Sequence, residues 1–459
     1  MKVLLINVAL RPESPTLMPP VGLGYIATAI HNAGFELEIL DIDANRYSDN
    51  EIEDLIKEKK FDVAAIGCIV TGFRIIRKLT DIIKKHKNVP IIVGNSVASS
   101  ITSILLNLTQ TDIAVIGEGD MAIVELLNAI ENNSDLKKIH GLAFKEKGEM
   151  IFTSKREVLK NIDEISFINW ELFDVKKYIE KSKIYIHEPY PVPYEQVRSL
   201  PINTARGCAF KCTFCYHVFI KDKYRVRSPR SICDEIKLLK EKYEINYINF
   251  FDELTFYSKE QCEAFVDTLL EYDLNIAWKA STRADLLGVE DIEIARKLKR
   301  SGCIGLGFSL ESANADILKA MNKRLSVKDF IAQTKVLRMA GLIPWTSLVL
   351  GYPQETEQSL KETFDVCYDA DIYPSSGYLL PLPGTPMYDY AVKVGEIGNE
   401  ENFLMNMGDR QDFSINLTNM DREKIEQIVT ENLKRISDKL SLGLDESRLI
   451  KTGHYRVKK

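Results

Sequence analysis

Three cysteines fall within eight positions of this chain, in the run Arg206-Gly207-Cys208-Ala209-Phe210-Lys211-Cys212-Thr213-Phe214-Cys215-Tyr216. A C-x3-C-x2-C loop offers three thiolates. Three thiolates hold three irons of a 4Fe–4S cubane and leave the fourth iron open to the amino and carboxylate groups of a ligand. A structural zinc site would require four ligands, and the other cysteines, Cys68, Cys233, Cys262, Cys303 and Cys367, are scattered without a second pair. Cys233 and Cys262 lie in helical stretches, where a small buried hydrophobe is the simpler reading. His217, directly after Tyr216, reads as a loop or substrate-side residue and not as a fourth ligand.

The elements that must hold this loop form a second α/β series beginning at Ile202. Expected strands are Ile202–Ala205, Tyr247–Phe251, Ile276–Ala280, Ile304–Ser309, Trp345–Leu350 and Gly377–Leu380, with helices such as Ile232–Tyr243, Lys259–Leu270, Asp291–Arg300 and Val327–Met339 between them. The series implies an incomplete (β/α)6 barrel of the TIM type over 199–386, with its chemistry at the carboxyl ends of the strands, where the cysteines fall. Residues 387–459 read as a mainly helical accessory element, clearest at Asp421–Leu440, with Tyr455–Lys459 a solvated tail.

The first 133 residues alternate short β-branched runs (Val3–Val8, Glu36–Asp41, Val63–Ile69, Pro90–Val93, Ile113–Ile116) with amphipathic helices, the pattern of a doubly wound, Rossmann-like parallel sheet. Small residues crowd the strand ends at Gly67–Gly72, Gly94-Asn95-Ser96 and Gly117-Glu118-Gly119-Asp120. They read either as tight turns or as a backbone surface against which a cofactor lies. Residues 134–198 are irregular, with a hairpin expected around Lys145–Glu149, and read as a linker between domains.

Composition narrows the partners. With 459 residues and 45 % hydrophobic content the chain can bury two or three domains, and a net charge of −6 gives no global field for nucleic acid. No apolar run approaches a membrane span and the amino terminus turns polar too soon for a secretory signal, so a cytoplasmic enzyme is expected. Eight cysteines, three of them clustered, point to metal ligation in a reducing compartment.

An ordered series of landmarks resembles the radical S-adenosylmethionine (SAM) superfamily, and within it the cobalamin-binding branch. After the Arg-Gly-Cys entry come Phe250-Phe251-Asp252-Glu253, Arg283, Gly307-Phe308-Ser309-Leu310-Glu311-Ser312, Leu350-Gly351-Tyr352-Pro353-Gln354-Glu355-Thr356 and Pro381-Leu382-Pro383-Gly384-Thr385-Pro386. In the first domain the looser resemblance rests on Pro19-Pro20-Val21-Gly22-Leu23-Gly24-Tyr25 and Gly117-Glu118-Gly119-Asp120. It implies that Cys208, Cys212 and Cys215 ligate the cluster, and that Phe214 and Tyr216 lie by the adenine with Val349. Ser309 and Glu311 would serve the ribose or amino group of SAM, Arg283 its carboxylate, and Asp252 or Glu253 the same pocket. A barrel-mouth salt bridge between Glu311 and Arg283 is the competing reading of those two.

For cobalamin the resemblance implies Pro20, Gly22, Leu23, Cys68, Val70, Thr71, Gly72, Gly94, Asn95, Ser96, Gly117, Glu118 and Gly119. The cobalt-ligating motif Asp-x-His-x-x-Gly is missing: His31-Asn32-Ala33-Gly34 carries its tail, but Ala29 stands where Asp belongs. Cobalamin without a protein His is therefore expected, and Cys68 reads more simply as a buried strand-end residue. Asn95 departs from the Gly-Gly of the branch. The implied activity is radical methylation of a carbon or phosphorus in a metabolite or peptide, with an electron donor such as flavodoxin or ferredoxin. Cyclisation, ring contraction or redox-neutral elimination is the alternative. A vestigial sensor is disfavoured by the intact cysteines, and a tRNA methylthiotransferase by Cys68 being the lone cysteine before Cys208.

Overall fold

The computed structural model describes residues 1–182 and 192–451; the tail Tyr455–Lys459 lies outside the described residues. The amino-terminal half is built on β1 (Lys2–Asn7), β2 (Glu36–Asp41), β3 (Val63–Gly67), β4 (Ile91–Gly94) and β5 (Ile113–Val115), parallel in the order β2-β1-β3-β4-β5. Val3, Leu4, Leu5 and Ile6 are buried on both faces, as a central parallel strand between two helix layers requires. The connections reverse direction between β1 and β3, so a crevice opens at the carboxyl ends there.

The expected hairpin forms as β6 (Leu142–Glu146) and β7 (Glu149–Phe152), but it is no linker. It pairs antiparallel with β5, Ala114 opposite Ala143, and extends the sheet to seven strands. Buried Leu142, Ala143 and Phe144 explain the difference: β5 would otherwise present an open edge, and the hairpin covers it. The following strap crosses the carboxyl ends of β1 and β2, where the Tyr178 hydroxyl donates to Asp41 at 2.7 Å and accepts from Asn7 Nδ2 at 3.0 Å.

The second half carries β8 (Ser199–Ile202), β9 (Ala205–Arg206), β10 (Arg225–Val226), β11 (Tyr247–Phe250), β12 (Ala277–Thr282), β13 (Cys303–Phe308), β14 (Ile343–Trp345), β15 (Ser347–Leu350) and β16 (Ser375–Tyr378). Strands β8, β11, β12, β13 and β14 form one parallel sheet, and β15 pairs parallel with β16. The expected fifth barrel strand is thus two pieces broken at Thr346. A bridge from Glu311 to Leu348 carries the curve across the break, leaving a partial barrel. Helix Arg422–Lys439 packs on helix Glu357–Asp369. The segment around Arg410 lies along β16, where Tyr378 N donates to Arg410 O at 2.7 Å. Ion pairs Arg77–Glu401 and Arg11–Asp409 tie this carboxyl-terminal element back to the first sheet.

Candidate active site between the sheet and the barrel

The cysteine loop leaves β9 through Gly207, whose φ of 82° favours glycine and where a Cβ would stand 3.2 Å from that of Phe219. β10 returns antiparallel onto β9. The Asp252 carboxylate accepts from Thr204 N (2.8 Å), Thr204 Oγ1 (2.6 Å) and Ala205 N (3.1 Å), which fixes the strand end from which the loop departs. On the far side, Thr213 N donates to Met321 O at 3.0 Å, Thr213 Oγ1 to Ala320 O at 2.9 Å, and Asn322 Nδ2 to Lys211 O at 2.9 Å.

Between these clamps Cys208, Cys212 and Cys215 are free, partly exposed thiols. Burial pushes Cys215 up to about 12, and the neighbouring Cys212 and Cys208 push it the same way, which places the three side by side. Among the described residues no three His, Cys, Asp or Glu side chains could jointly hold a metal ion. A cubane does not ask for that, since each thiolate binds a different iron and the three must ring a volume. Three neighbouring thiols without a fourth fit such a cluster.

Glu311 is 5 % exposed and holds a left-handed φ of 62°, a conformation a non-glycine residue keeps only where its surroundings enforce it. Its Oε1 accepts from Lys323 Nζ at 2.8 Å, while Oε2 is buried without a partner, the state expected of an acceptor facing an absent cationic ligand. The expected alternative pair with Arg283 does not form. Arg283 donates instead to Asp285 (3.0 Å) and to the carbonyls of Lys323 (2.6 Å) and Arg324 (2.7 Å), and its guanidinium stacks 3.8 Å from the Phe210 ring. Through its Nε and Nη2 it braces the cysteine loop, and these contacts leave its expected role toward the SAM carboxylate untested.

Asp252 is engaged within the protein too, Oδ1 by the backbone of Thr204 and Ala205 and Oδ2 by the Thr204 hydroxyl. Ser309 shares a 2.6 Å hydrogen bond with Ser347. Val349 packs in a cluster with Tyr352 and Leu379, and Phe214 sits edge-on to Tyr352 at 6.4 Å. The Tyr216 ring lies against Gly384, where a Cβ would come within 2.8 Å, and burial raises its hydroxyl to about 12.

Glu253 faces a cavity of about 410 Å³. Enclosure by protein raises its carboxyl although the side chain is open to the cavity. The barrel-side wall is Asn203, Ala205, Arg206, Val218, Phe219 and Phe251. The sheet-side wall includes Gly22, Leu23, Gly67, Gly94, Asn95, Gly117, Glu118 and Gly119. At Gly22, Gly94 and Gly117 an added Cβ would enter open space, so the sheet side is a bare backbone cradle that fits a broad, flat cofactor such as a corrinoid. Asn95 takes the φ of 72° that glycine would supply, its side chain accepting from Ser96 N at 2.6 Å.

Cys68, Val70, Thr71, Gly72, Ser96 and Pro20 stand outside this wall. Cys68 is 2 % exposed in the hydrophobic core, and a Cβ on Gly72 would collide with its Sγ, so the thiol does not face the cavity. Ser96 Oγ accepts from Val70 N at 2.9 Å, which makes these residues the support of the cradle.

A clasp between the two halves was not anticipated from sequence. Arg206 pairs with Asp120 at 2.7 Å and with Glu118, whose carboxylate also accepts from Arg225 at 3.1 Å and Leu159 N at 2.9 Å. Glu118 therefore lines the cavity but is held by arginines. Lys323 was missed as well, since nothing local marks a lysine whose partner lies twelve residues earlier behind a left-handed turn.

Comparison with known proteins matches a family to each half of the chain. The radical SAM superfamily profile matches residues 202–367 and the B12 binding domain profile residues 8–127. The chain is a radical SAM protein with an amino-terminal B12-binding domain. An uncharacterized methyltransferase of Pyrococcus horikoshii is 26 % identical over 400 residues, covering 85 % of this chain and 83 % of that protein. An anaerobic magnesium-protoporphyrin IX monomethyl ester cyclase of Cereibacter sphaeroides is 24 % identical, covering 81 % and 60 %. The structure of the radical SAM methyltransferase TsrM from Kitasatospora setae, with cobalamin and a 4Fe–4S cluster bound, shares the fold. Its TM-score is 0.67 at 18 % identity, covering 86 % of this chain and 75 % of that one. Among the described residues no helix is long and apolar enough to cross a membrane.

Proposed function

We propose that this cobalamin-dependent radical SAM enzyme is a cytoplasmic methyltransferase acting on an unactivated carbon, or a phosphorus, of a small molecule or peptide. One observation carries the reading: a single cavity is bounded by the glycine cradle on one side and by the mouth of the cysteine-bearing barrel on the other. When bound, the cluster with SAM supplies hydrogen abstraction and the corrinoid supplies a transferable methyl group.

The residues of the chain divide the remaining work. Cys208, Cys212 and Cys215 hold the cluster, and the bracing of Phe210 by Arg283 keeps their loop in place. Lys323 holds one oxygen of Glu311 so that Oε2 is aimed for the amino group of SAM. Phe219, Val218 and Phe251 exclude water where the acceptor would stand. Glu253, with its raised carboxyl, is positioned to hold a proton or a hydrogen bond at the acceptor. The Arg206 clasp keeps the two cofactor walls at a fixed separation.

The test uses protein purified without oxygen, reconstituted with iron, sulfide and hydroxocobalamin, and treated with dithionite and SAM. Bound corrinoid at about one per chain, together with 5′-deoxyadenosine formation that Cys212→Ala abolishes, is the expected result. 5′-Deoxyadenosine without bound corrinoid sinks the methyltransferase reading. The cyclase relative supports a second reading, ring formation, which would give an oxidised product without the mass of an added methyl group.

A further inference from the structure

The inner face of the last barrel strand is crossed by an arginine from outside the barrel. Ser375 and Gly377 of β16 face inward, opposite to Ser376 and Tyr378, and Tyr378 packs in the outer core with Leu348, Leu350 and Phe413. A Cβ on Gly377 would stand 3.1 Å from Cγ and Nε of Arg410, so the strand leaves out a side chain where the guanidinium lies. Nη2 donates to Ser375 O at 3.0 Å and to Ser375 Oγ at 2.9 Å. Nε and Nη1 have no acceptor among the described residues, and the neighbouring carboxylates are engaged, Asp409 by Arg11 and Asp412 by Lys451. The segment that presents Arg410 is fixed at three points: Met407 in the buried core of the first half, Asp409 on Arg11 Nε at 2.6 Å, and the Phe413 ring stacked 4.4 Å from Tyr378. Beside the guanidinium the hydroxyls continue. Ser347 of β15 is the registered neighbour of Ser375, and its Oγ lies 2.6 Å from that of Ser309, the residue that follows β13. The row therefore lies at the carboxyl-terminal mouth of the barrel, the end from which the cysteine loop departs. Arg410 and the three serines are half-buried, strands β11 to β16 contain no Asp or Glu, and at the mouth Glu311 is matched by Lys323.

We propose that Arg410 and this serine row seat an anionic group of the acceptor, a carboxylate or a phosphonate, an inference that rests on the reading of the barrel mouth as the place where the acceptor reacts. Every polar group left over in the row is a donor. Nε and Nη1 are unengaged, Ser375 Oγ accepts from the guanidinium and keeps its own proton, and the Ser309–Ser347 pair has one proton beyond the one it shares. A planar guanidinium matches the oxygens of a carboxylate or phosphonate in a paired geometry, and neutral hydroxyls complete the cradle. Arg410 also differs from a solvated surface arginine, because a strand position is vacated for it and two hydrogen bonds pin it there. A partly desolvated cation among uncharged strands is costly until a ligand supplies the opposite charge.

The test is isothermal titration calorimetry of phenylphosphonate, benzoate and benzyl alcohol into the reconstituted holoenzyme saturated with SAM, with Arg410→Gln, Arg410→Lys and Gly377→Ala beside the wild type. The two anions should bind saturably and the alcohol at least about tenfold more weakly. Arg410→Gln should weaken the anions by about tenfold or more, and Arg410→Lys should recover part of that loss. Gly377→Ala, which keeps the charge but crowds the guanidinium, should weaken them in the same direction. SAM affinity, measured by equilibrium dialysis, should stay at the wild-type value in all three variants, which also shows that they fold. Benzyl alcohol binding as well as the anions overturns the inference, as does anion binding unchanged in both Arg410→Gln and Gly377→Ala. A loss of SAM affinity that parallels the loss for the anions assigns the arginine to the SAM carboxylate and overturns it too. Binding is read without turnover, so a wild type that takes the anions through Arg410 yet forms no 5′-deoxyadenosine fails the proposed function and leaves this anion site standing.

Discussion

On the sheet side, the cavity wall is Gly22, Gly67, Gly94, Gly117 and Gly119 with apolar neighbours such as Leu5, Val21 and Ile92. On the barrel side Arg206 and Glu253 line the cavity beside Val218, Phe219 and Phe251, and outside that lining the barrel carries further charge in Asp252, Arg283 and the buried Lys323–Glu311 pair. A cofactor met through backbone needs absence of side chains, and at Gly22 and Gly94, where a Cβ meets nothing within 4 Å, substitution costs the fold little. A site that must hold a cluster and a zwitterion needs charge in a desolvated place, and each such charge has to be matched by another. The two walls should therefore fail differently when altered, the barrel side by losing stability and the sheet side by losing ligand.

The sharpest break of that contrast is at the clasp, where the walls touch. Arg206 side-chain exposure is 11 % and that of its partners Glu118 and Asp120 is 7 % and 17 %. Arg206→Met removes the cation and leaves Asp120 uncompensated, so the urea unfolding midpoint of the metal-free protein should fall by an amount equivalent to about 3–5 kcal/mol. Adding Asp120→Asn should recover part of the loss. An unchanged midpoint would mean that solvent reaches the clasp and that charge matching does not organise this wall.

The two walls were also unequally legible. The cysteine loop is contiguous, and its spacing alone specifies three thiolates in one place. The glycine turns are contiguous too, and seven of the thirteen residues assigned to the cradle line it. What composition could not tell is which face of a polar residue is used. The resemblance implies ligand contacts for Arg283 and for Asp252 or Glu253, and in the structure Asp252 and Arg283 satisfy backbone groups, which buried loops must do before a ligand arrives. Glu118 was read as cradle and is held by two arginines from beyond the linker. The hairpin was visible locally, but the edge it covers is a tertiary fact. Strand positions in both halves were legible because parallel core strands are runs of apolar residues; the break at Thr346 was not, since Trp345–Leu350 reads as one run.

A second test of the barrel side uses pH. Glu355, in the loop after β15, is 4 % exposed and accepts from Ser359 Oγ and from Gly351 N at 3.3 Å. Burial raises its carboxyl to about 7. The folded chain thus keeps this proton where the unfolded chain, with an ordinary carboxyl near 4.5, has lost it. Its contribution to stability is fully present below pH about 4.5 and is lost as pH rises through about 7, a span of about 3 kcal/mol. Glu355→Gln, isosteric with the protonated form, should flatten this part of the stability–pH curve while leaving the low-pH value near wild type. Parallel curves for the two proteins would show that the loop hydrates its carboxylate after all.

The smallest effect on stability is expected in the cradle, and it is the one that most sharpens the contrast. Gly94 ends β4 with a backbone conformation open to any residue, and a Cβ there meets nothing within 4 Å. Gly94→Val adds a branched side chain at a strand position that favours one, so the apo-protein should unfold within about 0.5 kcal/mol of wild type. The same methyl groups would occupy the floor of the cradle proposed to take the corrinoid. Overpacking costs about 1–3 kcal/mol, so hydroxocobalamin affinity measured by equilibrium dialysis should weaken by about tenfold or more. Cluster content should be untouched, because the side chain projects from the sheet and the thiolates belong to the barrel. If affinity held and stability fell, the glycine would be serving the packing of the sheet, and the cradle would be a set of tight turns.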